Sequence, residues 1–184
     1  MVVWDNEVIS ACRHWHIASY FLLNKVRPHW PAWIAKLKAA GVTVSLDTNW
    51  DPEERWEGVR PLLPMVDIFL PNEAEALALS GEGDVHAAGR SLARQGPLVV
   101  IKRDVRGAIA FDNDRVIEVP IDPAWLSGNV VDTIGAGDSF DGGFIRAWQL
   151  GWPLEKCLLL GLRCGSASVG AAGGFGGQLR EVIA

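Results

Sequence analysis

"VDIFLPNEAEALALSG", residues 66–81, reads as a strand running directly into a helix. Val66, Ile68, Phe69 and Leu70 make a short apolar run of strand-forming residues, closed by Pro71. Asn72 follows in the position of a helix N-cap, with Glu75 three residues later, and Gly81 supplies the stop. The same grammar extends outward in both directions. Upstream, residues 11–19 read as a strand, 30–40 as a helix closed by Gly41, 42–48 as a strand and 52–63 as a short helix. Downstream, a helix ends at Gly96, "PLVVIKR" (97–103) is a buried strand, and "GAIAFDNDRVIEVP" (107–120) is a hairpin turning at Asn113-Asp114. Helices are expected over about 136–150 and 153–171. Strands alternating with helices predict an α/β fold: a mostly parallel sheet covered on both faces, in one domain over residues 1–184.

Composition limits the functions available. The 184 residues are 49% hydrophobic and 21% charged, which fits a soluble domain with a real core. A net charge of −5 without any basic run argues against a nucleic-acid surface. No apolar stretch is long enough to span a bilayer, and "MVVWDNEVIS" carries no export signal, so no membrane partner is expected. Cys12, Cys157 and Cys164 lack metal spacing and fit free thiols in a reducing cytoplasm. His14 and His16, two apart on a strand, are assigned to packing and hydrogen bonding.

In a sheet of this kind, ligands bind beyond the carboxyl ends of the strands. Three loops there carry suggestive residues: 47–52, 71–75 and 132–138. The last holds Gly135-Ala136-Gly137-Asp138 at the start of a helix. It is not a Walker A loop, and Phe140 breaks the dinucleotide pattern. What remains is a run of helix-start amides able to hold negative charge, beside a carboxylate able to take a proton from a hydroxyl. That combination suits phosphoryl transfer to an alcohol. The competing reading makes Asp138 a helix cap. Asn72 and Glu75 share a helix face and could orient water around Mg²⁺, while a capping box accounts for the same pair.

Residues 132–145, "DTIGAGDSFDGGFI", resemble the C-terminal motif of the PfkB, or ribokinase-like, family of carbohydrate kinases. The segments "LPNEAEALALSG", "VVIKRDVRGAIAF" and "VSLDTNWDP" resemble that family's Asn-x-x-Glu helix, Lys/Thr-x-Gly-x-x-Gly strand pair and Asp-x-Asn strand end. The resemblance implies a three-layer, Rossmann-like fold and ATP-dependent phosphorylation of a sugar or nucleoside. It implies Asp138 as the base, Gly135, Ala136 and Gly137 as the anion hole, and Asn72 and Glu75 for Mg²⁺ and phosphate, Glu75 through water. Lys102 and Gly107 would border the nucleotide, with Cys164 near the base. Asp132 would take part in a monovalent cation site, usually for K⁺, with carbonyls such as those of residues 171–177.

Two residues depart from the family pattern. Asp104 stands where glycine is usual and is expected to crowd a phosphate. Asp51 stands where sugar-acid kinases often carry arginine, so a neutral sugar or nucleoside is expected as substrate. Family members are also longer. The resemblance implies that the opening strands, the β lid and most sugar contacts are missing from the N-terminal side. The first strand would then be an exposed sheet edge, inviting a homodimer or other association. Two further readings compete with the kinase. One is a non-catalytic remnant that binds nucleotide or a partner. The other is a Gly-Asp-Ser hydrolase using Ser139, which would need a late histidine that the sequence lacks after His86.

Overall fold

The computed structural model describes residues 11–126, 130–174 and 176–179. Its strands are β1 (His14–Ile17), β2 (Thr43–Leu46), β3 (Ile68–Phe69), β4 (Leu98–Lys102), β5 (Ala108–Asp112) and β6 (Arg115–Val119). The helices are α1 (Trp30–Ala39), α2 (Glu73–Ser80), α3 (Val85–Ala93), α4 (Ala136–Gln149) and α5 (Leu154–Ser168). All six strands join one sheet in chain order, with β1 at its end among the described residues. β1 to β4 are parallel, with Trp15 opposite Val44, Leu46 opposite Phe69 and Ile68 opposite Leu98. Parallel neighbours need a crossover, which the intervening helical segments supply. β5 and β6 are separated only by Asn113-Asp114, where Asn113 has a φ of 53°. A two-residue turn of this kind favours positive φ, which asparagine tolerates. The mostly parallel, helix-flanked sheet is therefore the one expected from the alternating pattern.

The chain divides into two compact units: Met1–Ile101 with Phe111–Arg115, and Lys102–Ala110 with Val116–Ala184. In the first, Val44, Leu46, Ile68, Phe69, Val99 and Val100 are wholly buried. Fully burying one such side chain contributes about 1.5–3 kcal/mol, so these strands anchor the unit. α1 packs on β2, and α2 packs on α3. α3 lies so close to Phe111 that a Cβ on Gly89 would sit 2.1 Å from the ring. His14 bonds Thr43 Oγ1 and Ser45 Oγ, each at 2.8 Å, and His16 bonds the same Ser45 oxygen at 2.8 Å. Burial, with His16 beside it, pushes the His14 pKa down to about 4 against the pull of Asp67. These are the packed, hydrogen-bonded histidines expected. No group of three metal-ligating side chains occurs among the described residues.

One element differs from expectation. Instead of a helix over 52–63, the chain forms an irregular loop and then a 3-10 helix over Arg60–Met65. Asp51 accepts the amides of Glu53, Arg55 and Trp56, at 3.0, 3.0 and 2.7 Å. Amides drawn onto a side chain are lost to a helix ladder. Glu54 and Trp56 adopt φ of 53° and 55°, and Pro61 and Pro64 remove two more donors. In the second unit, α4 and α5 pack closely together. A Cβ on Gly143 would come within 2.8 Å of Cys164 Sγ. Phe140 and Phe144 stack on the buried side of α4.

Candidate active site

The 71–75 loop is closed by its own side chains. Asn72 Oδ1 accepts the Glu75 amide at 2.9 Å, and Glu75 Oε2 accepts the Asn72 amide at 2.9 Å. This is a complete capping box, with Glu75 buried beneath it. The two residues singled out for Mg²⁺ thus hold each other in place, and the box fixes the Glu75 carboxylate at the end of β3. Asp51 is likewise turned inward. Burial raises its pKa, but the amides of Glu53, Trp56 and Arg55, together with Arg27, outweigh that effect and keep it below the usual carboxylate range. The repulsion expected between Asp51 and a substrate carboxylate therefore has no exposed carboxylate to rest on. Its charge closes its own loop.

The start of α4 is built differently. Its N-cap is Gly135, at a φ of 77°, and no side chain caps the helix. Asp138 lies in the first turn, exposed, and is not the cap that the competing reading made of it. Ala136 donates to Thr133 O at 3.2 Å, and Ser139 donates to Gly135 O at 2.9 Å. The amides of Gly137 and Asp138 find no acceptor among the described residues. Helix-start amides left in this state carry partial positive charge toward any anion that reaches them. The side chain at position 138 therefore stands beside two open donors. That arrangement can bind an anion and can accept a proton.

The loop before α4 is stitched to the C-terminal segment. Asp132 Oδ1 accepts the Ile134 amide at 2.9 Å, and Oδ2 accepts the Gly173 amide at 3.0 Å. Those two bonds hold the Asp132 carboxyl below the usual range. Gly135 meets Gly174 so closely that a Cβ would fall 2.6 Å from the Gly174 Cα. A side chain at 135 is therefore excluded by both backbone angle and space. Each Asp132 oxygen thus accepts one backbone amide, and together they tie the loop before α4 to the 171–177 segment. Residue 175, within the 171–177 segment, lies outside the described residues.

The remaining sites divide cleanly. Lys102, at the end of β4, donates to both Asp141 oxygens at 3.1 Å. Its Nζ lies 3.7 Å from where a Cβ on Gly137 would stand, which brings Lys102 to the open amides. Gly107, at a φ of 95°, closes the β4–β5 turn, where a Cβ would strike Val119 O at 2.1 Å. Asp104 keeps a φ of 49° in this turn, so it retains a backbone shape that favours glycine, with its side chain exposed. Cys164 faces Gly143 between α4 and α5, and burial raises its thiol pKa. Ser139 is buried and accepts a 3.5 Å contact from Gln178 Nε2. The second unit contains no histidine, so it offers no base for a serine nucleophile.

Asp141 escaped the sequence reading. It sits between Phe140 and Phe144 on a helix whose buried residues are otherwise nearly all apolar, and it is buried with them. A carboxylate in that pattern calls for a cation, and this was the signal available to find the pair.

Comparison with known proteins bears on the same loops. The profile of the pfkB family carbohydrate kinases matches residues 5–177. The chain belongs to this family. A cytidine kinase of Thermococcus kodakarensis is 38% identical over 132 residues, covering 69% of this chain and 46% of that protein. The fructoselysine 6-kinase of Shigella flexneri is 30% identical over 136 residues, covering 73% of this chain and 48% of that protein. The chain thus spans about half the length of the curated relatives it matches. Among solved structures, an E. coli ribokinase II in complex with ATP and Mg²⁺ aligns with a TM-score of 0.82 and 27% identity, over 95% of this chain and 58% of that one. The adenosine kinase of Sinorhizobium meliloti aligns with a TM-score of 0.80 at 23% identity, over 93% of this chain and 53% of that one, and shows the shared fold. The fold is therefore the ribokinase-like α/β fold of the family. No helix among the described residues is long and apolar enough to cross a membrane.

Proposed function

We propose that this chain carries the phosphoryl-transfer half of an ATP-dependent kinase acting on a hydroxyl of a sugar or nucleoside. The observation that carries the proposal is the uncapped start of α4, with open amides at Gly137 and Asp138 beside the exposed Asp138 carboxylate. In this reading Asp138 takes the proton of the attacking hydroxyl. The open amides of Gly137 and Asp138 hold the charge on the transferred phosphoryl group, with Gly135 and Ala136 forming the turn that presents them. Lys102 and Gly107 border the nucleotide, and α5 near Cys164 lies toward its base. Mg²⁺, when bound, would neutralise phosphate charge, and Asn72 and Glu75 are the residues that would orient its waters. K⁺ binding beside the Asp132 loop belongs to the same reading. So does a cytoplasmic location, which supplies ATP and suits the free cysteines.

The donor set fits an anion on its own evidence. Open amides with the Lys102 ammonium 3.7 Å from the position of a Gly137 Cβ are donors and positive charge suited to a polyphosphate more than to a neutral ligand. The experiment pairs Asp138→Asn with the unchanged chain. Mg·ATP binding by titration calorimetry should remain within about twofold, while transfer to a panel of sugars and nucleosides falls roughly 10²–10⁴-fold. Unchanged transfer by the variant would remove Asp138 from the mechanism. Binding without turnover in the unchanged chain would instead identify a nucleotide-binding remnant.

A further inference from the structure

The Lys102–Asp141 pair goes beyond the roles assigned above. We infer that Asp141 is a positioning residue that aims the Lys102 ammonium at the phosphoryl group held by the Gly137 and Asp138 amides. Lys102 then serves the transferred phosphate and not the nucleoside end of ATP. The inference rests on the kinase reading and deepens it.

Three observations lead there. Asp141 follows Asp138 by three positions and Gly137 by four, so the residues lie along one side of the first turns of α4. Its side chain is 1% exposed and that of Lys102 is 13% exposed, while both carboxylate oxygens lie 3.1 Å from Nζ. Packing alone gives little reason for such a pair. Apolar residues of similar volume are often equally or more stabilising at a buried ion-pair site. Finally, the ammonium held by this carboxylate is 3.7 Å from the position of a Gly137 Cβ, beside the open amides. A lysine is a compact charge on a flexible stem, so its direction must be imposed by something else. Asp141 imposes it, and the neutral pair avoids leaving an isolated cation half-buried when no phosphate is bound.

The test separates this role from a structural one. Mg·ATP, AMP and inorganic tripolyphosphate are titrated by calorimetry into the unchanged chain, Lys102→Met, Asp141→Asn and Lys102→Met/Asp141→Leu. Thermal unfolding is followed in parallel. Lys102→Met should weaken Mg·ATP and tripolyphosphate about tenfold and leave AMP within twofold. Asp141→Asn should weaken the same two ligands several-fold. The double variant should unfold at or above the temperature of either single variant while keeping the tenfold loss. A double variant binding Mg·ATP as tightly as the unchanged chain would overturn the inference. Tripolyphosphate binding that is sensitive to Lys102, without Mg·ATP binding, would keep the clamp and discard the kinase reading. Failure of the unchanged chain to bind either ligand would discard both.

Discussion

α2 and α4 each begin directly after a loop, yet their first turns are finished in opposite ways. At α2, Asn72 and Glu75 exchange two side-chain bonds with each other's amides, and the helix start is closed. At α4, glycine holds the cap position, no side chain reaches the amides, and an exposed aspartate stands one turn in. A cap stabilises a helix by about 1 kcal/mol. Forgoing one leaves donors that only water or a ligand can satisfy. The difference is that one helix start is finished by its own side chains while the other leaves its amides available to a ligand.

The largest expected break in this comparison comes from Gly135→Ala. A side chain there meets both an unfavourable φ and the Gly174 backbone, so a cost of about 3 kcal/mol is expected. Thermal unfolding should fall accordingly, and tripolyphosphate binding should be lost with the loop geometry. An alanine variant that binds and melts like the parent would mean that the close approach is not needed.

Asn72 offers a finer test. Asn72→Ala should cost about 1 kcal/mol in denaturant unfolding, whereas Asn72→Asp keeps an equally good cap and should stay within about 0.5 kcal/mol. If Asn72→Asp nevertheless lowers phosphoryl transfer tenfold, the α2 start does more than cap. If it does not, the closed terminus is structural and the contrast with α4 sharpens.

The smallest effect is expected at Asp104. Asp104→Gly relieves a left-handed φ of 49° and should raise stability by about 0.5 kcal/mol, measured by urea unfolding. A loss of stability would show that the exposed aspartate contributes something the backbone argument omits.

Much of this was legible before any coordinates. The strand-to-helix segment 66–81 declared itself through an apolar run, a cap pair and a terminal glycine, which are all local signals. The Gly-Ala-Gly segment at 135–137 was equally plain, because few other reasons place two glycines at a helix start. Less legible were features that depend on irregular backbone or on distant partners. The fate of the Asp51 carboxylate depended on three amides following it in an irregular loop, so its helix-like surroundings misled. Asp141 could be read only as an oddity in an apolar pattern until Lys102, 39 residues earlier, was found against it. The competing roles of Asp138, cap or base, differ by the geometry of one helical turn, which sequence spacing does not resolve.

The Asp132–Gly173 bond and the Gly135–Gly174 approach also bear on how the chain is made. Residues 132–135 leave the ribosome well before residues 173–174, so α4 can form while its opening loop still lacks its second wall. The opening loop of α4 is therefore fixed only after the helix that follows it has been made, and a nascent chain arrested before residue 173 would carry that helix without the Gly173 and Gly174 contacts that set the backbone before it.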